Sequence, residues 1–97
     1  MIHELLFEGP ENAQTARELC SLLGIDHRTL TATIERERRA GLPICASSDT
    51  RSPGYFLAED QETMRRYCAR LDHREREIAR TREACEATID GLPARGA

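Results

Sequence analysis

Thr15–Gly41 reads TARELCSLLGIDHRTLTATIERERRAG, and its caps, apolar positions and glycines decide the fold. Thr15 with Glu18 three residues on is a capping box, in which hydroxyl and carboxylate each satisfy an exposed amide. Leu19, Leu22 and Leu23 follow on one helical face with Cys20 beside them. Gly24 then suits a left-handed helix stop. Ile25 is the one apolar residue of the turn, and Asp26 can cap a second helix, with Thr29 as its partner. Leu30 and Ile34 make that helix's buried stripe, with Thr33 at its edge. Arg38 and Arg39 place positive charge at its C-terminal end, and Gly41 ends it. The cluster ERERR reads as a solvated helix end with internal ion pairs.

A second pattern follows. LPICASS (42–48) alternates apolar and small residues after a proline, SDTRSPG (48–54) is dense in turn residues, and YFLA (55–58) is again apolar. Strand, polar loop and strand predict a β-hairpin. Upstream, IHELLF (2–7) reads as a further helix, broken by GPEN (9–12). ENAQT (11–15) can add a short third strand, although Gln14 is polar where an apolar residue belongs.

These elements resemble a winged helix-turn-helix domain over residues 2–58. Leu19, the small Cys20, Leu23, Gly24, Ile25 and Leu30 match that family's helical pair in type and spacing. Thr33 departs from it, since a branched aliphatic is usual there. The segments RRAGLPICASS and GYFLA are also similar in flavour to small bacterial or prophage-encoded members. The fold class expected is mainly α with a small β-hairpin, a winged helix-turn-helix plus a long C-terminal helix. The domains are 1–58, then 59–90 as a long helix that dimerises, then 91–97 as a frayed tail.

The resemblance implies sequence-specific binding to double-stranded DNA, as a transcriptional regulator or a phage or mobile-element factor. The second helix, residues 26–40, would enter the major groove N-terminus first. His27, Arg28, Thr31, Ala32 and Glu35 should face outward, Arg28 suited to a guanine edge and Thr31 to a thymine methyl. Thr29 and Arg36 lie on the flanks, where phosphates pass. Arg51 sits at the hairpin tip, where this family often places an arginine against DNA. Glu35 and Glu37 argue against it, because carboxylates repel phosphate.

Asp60 can cap a last helix, unbroken from Gln61 to Ile89, which at 1.5 Å per residue runs roughly 44 Å. A compact domain of this size is only about 25–30 Å across, so the helix should project and need a partner. Met64, Leu71, Ile78 and Cys85 recur every seven residues, with Tyr67, Cys68 and Ile89 alongside. Glu75 and Arg82 interrupt the flank, and two copies could match them across an interface. This weak heptad seam predicts a homodimer. Glu62 with Arg66 and Asp72 with Arg76 support the helix locally.

Composition sets the outer bounds. The 97 residues are 39% hydrophobic and 32% charged, which suits one small helical domain. No apolar run approaches the length of a membrane span, and the N-terminus lacks the pattern of a secretory signal. A cytoplasmic location and no membrane partner are therefore expected. Cys20, Cys45, Cys68 and Cys85 are far apart and read as free thiols, and His3, His27 and His73 are scattered, so no metal and no cofactor are expected. No catalytic motif stands out, so an enzyme is the last choice. All fourteen basic residues are Arg, yet the net charge is −3. That acidity favours the rival reading, a winged helix used as a protein-interaction module without DNA binding.

Overall fold

Both short helices begin at the caps the sequence offers. In the computed structural model, which describes residues 1–95, α1 spans Ala16–Leu23. Its Thr15 hydroxyl accepts the Glu18 amide at 3.1 Å while the Glu18 carboxylate accepts the Thr15 amide at 3.5 Å. Gly24 closes α1 at φ 66° and donates its N–H to the Cys20 carbonyl at 2.8 Å. That left-handed conformation strains any residue with a Cβ. Helix α2 spans His27–Arg39, and Asp26 caps it by accepting the Thr29 amide at 2.8 Å. It ends on Ala40, one residue before the expected glycine.

The hairpin pairs β1 (Ile44–Ser47) with β2 (Gly54–Leu57), antiparallel, with Ile44 opposite Leu57 and Ser47 opposite Gly54. The ENAQT segment supplies a single bridge on the other edge of β2. Gln14 and Tyr55 exchange two backbone hydrogen bonds, at 2.9 and 2.8 Å. Gly54, at φ 121°, lets that segment approach, because a Cβ there would collide with the Gln14 backbone.

The N-terminal segment corrects one expectation. IHELLF forms one short 3-10 turn, Ile2–Leu5, and Leu6 is already extended. The chain then runs alongside β2, with the Leu57 amide donating to Phe7 O at 2.9 Å and the Gly9 amide to Leu57 O at 3.1 Å. Phe7 is consequently 60% exposed. Ile2 and Leu6 still serve the core, which gathers them with Leu19, Leu30, Ile34 and Ile44.

A smaller cluster, Cys45, Phe56 and Tyr67 with Met64 and Ala58 against it, ties the outer face of the hairpin to the start of α3. Helix α3 spans Gln61–Glu86 and is capped by Asp60, which accepts the Thr63 amide at 2.8 Å. It stops three residues short of the expected end, and Ile89 lies in a following 3-10 turn, Ile89–Gly91. By its internal contacts the chain divides after Tyr67. The first unit therefore runs nine residues beyond position 58 and includes the opening turns of α3. From Cys68 to Arg95 every described residue is exposed except the half-buried Ala79. Residues 96 and 97 of the expected tail lie outside the described residues. The architecture is thus mainly helical, with one antiparallel hairpin and a long C-terminal helix. Among the described residues no helix is long and apolar enough to cross a membrane.

Candidate nucleic-acid interface

Helix α2 divides cleanly into two faces. Leu30, Thr33, Ile34 and Glu37 are buried, recurring at intervals of three and four as one helical stripe. Thr33 resolves its mismatch with the apolar stripe by donating its hydroxyl to the Thr29 carbonyl at 2.8 Å, so this hydroxyl is not buried unpaired. His27, Arg28, Thr29, Thr31, Ala32, Glu35, Arg36 and Arg39 are exposed.

Glu37 is not part of a solvated end. Its Oε2 accepts the Ile2 amide and its Oε1 the His3 amide, both at 2.8 Å, and His3 Nδ1 lies 2.7 Å from Oε1. Burial pushes this carboxyl up. The backbone hydrogen bonds from His3 and Ile2, the His3 ring and the nearby N-terminal ammonium outweigh that and hold it at about 2. One of the two carboxylates that argued against DNA binding is therefore turned into its own fold, while Glu35 stays exposed.

Arg38 is withdrawn as well. Its Nε donates to the Ile44 carbonyl at 2.9 Å, and its guanidinium carbon lies 5.8 Å from the Tyr55 ring centre and 5.0 Å from that of Tyr67. This stacking joins the C-terminal end of α2 to the hairpin and to the first turns of α3. The sequence signal for both residues was present. Glu37 is seven residues after Leu30 and three after Ile34, so it continues the buried stripe, and Arg38 is four after Ile34. The density of charge in ERERR obscured that periodicity.

With Glu37 and Arg38 removed, the charged residues left on the outer face of α2 are Arg28, Arg36 and Arg39 against Glu35. Glu35 lies 3.9 Å from Arg39 Nη2. Asp26, at the N-terminal tip, is held below the usual carboxylate range by hydrogen bonding from the Thr29 side chain and backbone, so it too is an anion at neutral pH. Thr31, exposed, donates its hydroxyl to the His27 carbonyl at 3.0 Å. The 48–53 loop is ordered by its own side chains. The Arg51 amide donates to Asp49 Oδ1 at 2.9 Å, and the Ser52 hydroxyl donates to the Pro10 carbonyl at 3.0 Å. The Arg51 side chain is 91% exposed, with Nε 3.5 Å from Asp49 Oδ1.

The expected dimer seam separates into two sets. Met64 and Tyr67 are corrections, since both pack inside their own chain, Tyr67 with only 8% of its surface exposed. The aromatic stacking on Arg38 and the apolar hairpin face claim them first. Cys68, Leu71, Ile78, Cys85 and Ile89 remain exposed, Ile78 at 64% and Ile89 at 61%. Cys45 is buried, Cys20 half-buried, and Cys68 and Cys85 are exposed free thiols. Among the described residues no three His, Cys, Asp or Glu side chains come together as a metal site. Comparison with known families, characterised proteins and solved structures gave no match.

Proposed function

We propose that this protein binds double-stranded DNA through the exposed face of α2, as a self-associating transcriptional regulator or a phage or mobile-element factor. The observation that carries the reading is the withdrawal of Glu37, which leaves that face with three arginines against one glutamate. Arg28 lies near the N-terminus of α2, the end that reaches base edges when such a helix enters the major groove. Its planar fork suits a guanine edge, and the Thr31 methyl suits a thymine. Arg36, Arg39 and the exposed Arg51 of the hairpin loop supply cations for the phosphate backbone. A cytoplasmic, bacterial or prophage setting belongs to the same proposal.

A second reading, a protein-interaction module, is favoured by the net charge of −3 and by the Asp49 carboxylate beside Arg51. One titration separates the two. Binding to random-sequence duplex DNA is measured at about 50 and 200 mM salt with the wild type and Arg28→Ala/Arg51→Ala. DNA binding predicts an affinity that falls steeply with salt and weakens further in the double variant. A folded protein that does not bind at the lower salt overturns it in favour of the module.

A further inference from the structure

Beyond Tyr67, α3 carries a stripe that the described residues of its own chain leave exposed. Cys68, Glu75 and Arg82 recur every seven residues, and Leu71, Ile78 and Cys85 recur every seven residues three positions later. Together they form one stripe with the spacing of a two-stranded coiled-coil seam. All six are exposed, including the large apolar Leu71 and Ile78. Glu75 is the informative member. Its helical neighbours at three and four residues' distance are Leu71, Asp72, Ile78 and Ala79, none of them basic. No ion pair joins it to another described residue. Arg82 is only loosely engaged, 3.9 Å from Glu83 and 3.7 Å from Glu86.

We infer that residues 68–86 pair antiparallel with the same segment of a second copy, each chain's Glu75 lying one helical turn from the other's Arg82. The inference deepens, and rests on, the self-association in the reading above. Charge decides the direction. In a parallel pair each seam residue faces its own counterpart, which sets Glu75 against Glu75 and Arg82 against Arg82. Like charges opposed in a seam are destabilising. In an antiparallel pair each member of one seven-residue series faces a member of the other. The register with the greatest overlap is centred between Arg76 and Glu77. It sets Cys68 opposite Cys85, Leu71 opposite Arg82 and Glu75 opposite Ile78. Each Glu75 then lies one turn from the other chain's Arg82, within reach of the long arginine side chain, and slightly less than a turn from the other chain's Glu75. Two attractions against one diagonal repulsion replace the directly opposed like charges of the parallel pair, and both apolar positions are covered.

The two exposed thiols report the geometry. On one helix Cys68 and Cys85 are about 25 Å apart, and a disulfide needs its Cα atoms within about 7 Å. A Cys68–Cys85 link can therefore form only between chains. The 97-residue chain is studied without DNA by sedimentation over about 5 to 200 µM, and in parallel by diamide oxidation with peptide mapping. The expected result is a concentration-dependent dimer with Cys68–Cys85 links. Glu75→Arg and Arg82→Glu should each weaken it about tenfold, and the double exchange should restore it. Both positions are on the surface, so neither variant threatens folding. A monomer throughout the range overturns the inference. So does a dimer with Cys68–Cys68 and Cys85–Cys85 links, or one indifferent to the charge exchanges. Because no DNA is present, failure of this pairing is distinguishable from failure of DNA binding.

Discussion

The buried carboxylate of Glu37 accepts the amide of Ile2 at 2.8 Å, and through that contact the C-terminal half of α2 anchors the N-terminal segment of the chain. Ile2 has none of its surface exposed, so the contact fixes a residue in the middle of the core. Glu37→Ala leaves two amides unpaired in a place water reaches poorly. A loss of roughly 2–4 kcal/mol is expected. Glu37→Gln keeps one acceptor oxygen and should lose about half as much. Urea unfolding followed by circular dichroism measures both. Losses under about 0.5 kcal/mol, the usual effect of a surface substitution, would show that the anchor is dispensable.

Acid should test the same contact. Burial pushes the Glu37 carboxyl up, but hydrogen bonds from the His3 and Ile2 amides and the His3 ring outweigh that and hold it at about 2 in the folded protein, against an ordinary 4.5. A carboxyl whose folded value is depressed contributes stability that is full above its unfolded value and is lost as pH falls through the folded one. The loss is therefore expected between about pH 4.5 and pH 2 and amounts to roughly 3 kcal/mol. Asp26 and Asp60 are also held low, by Thr29 and Thr63 respectively, and titrate in the acid range as well. The comparison that isolates Glu37 is wild type against Glu37→Gln, whose stability curve should be flatter over that interval. Parallel curves would assign the acid sensitivity to the caps.

Arg38 is expected to act on stability, not on DNA. Its hydrogen bond to Ile44 and its stacking on Tyr55 and Tyr67 place its contribution inside the fold. Arg38→Ala should cost about 2 kcal/mol, and Arg38→Lys nearly as much, because an ammonium cannot reproduce the planar fork. At a temperature where both variants remain folded, DNA affinity should match the wild type. A large affinity loss without a stability loss would place Arg38 at the nucleic acid after all.

Why the sequence showed the helical pair and the hairpin, yet not the N-terminal turn, follows from how far each signal reaches. The Thr15–Glu18 box, the Gly24 stop and the Asp26 cap act within four residues, so their effect can be read from adjacent letters. Ile2–Phe7 offers apolar residues without a cap. Its backbone partners are Glu37 and Leu57, far along the chain, and those contacts take the place of helical bonds. Tyr67 and Met64 illustrate the same limit. Their seven-residue spacing suits a seam between chains, and only the folded hairpin shows that Cys45 and Phe56 cover them first. At the candidate interface, outward positions such as Arg28 and Thr31 followed from helical period alone. The burial of Glu37 follows from the same period, but the charge packed around it masks that signal.

Glu35 gives the most direct handle on the outer face of α2. It is four residues after Thr31 and seven after Arg28, so it stands in the middle of the exposed face, 56% exposed and 3.9 Å from Arg39. Facing a phosphate backbone, its charge opposes association and partly neutralises Arg39. Glu35→Gln removes the charge, keeps the size and leaves the buried stripe untouched. If DNA lies against this face, affinity for random duplex should rise about threefold to tenfold at low salt, with a slightly steeper salt dependence as Arg39 is freed. Arg36→Ala should act in the opposite direction, weakening all sequences alike and reducing the salt slope by about one. Fluorescence anisotropy with a labelled duplex measures both. If Glu35→Gln leaves affinity unchanged while Arg51→Ala lowers it, the hairpin loop, and not α2, carries the contact.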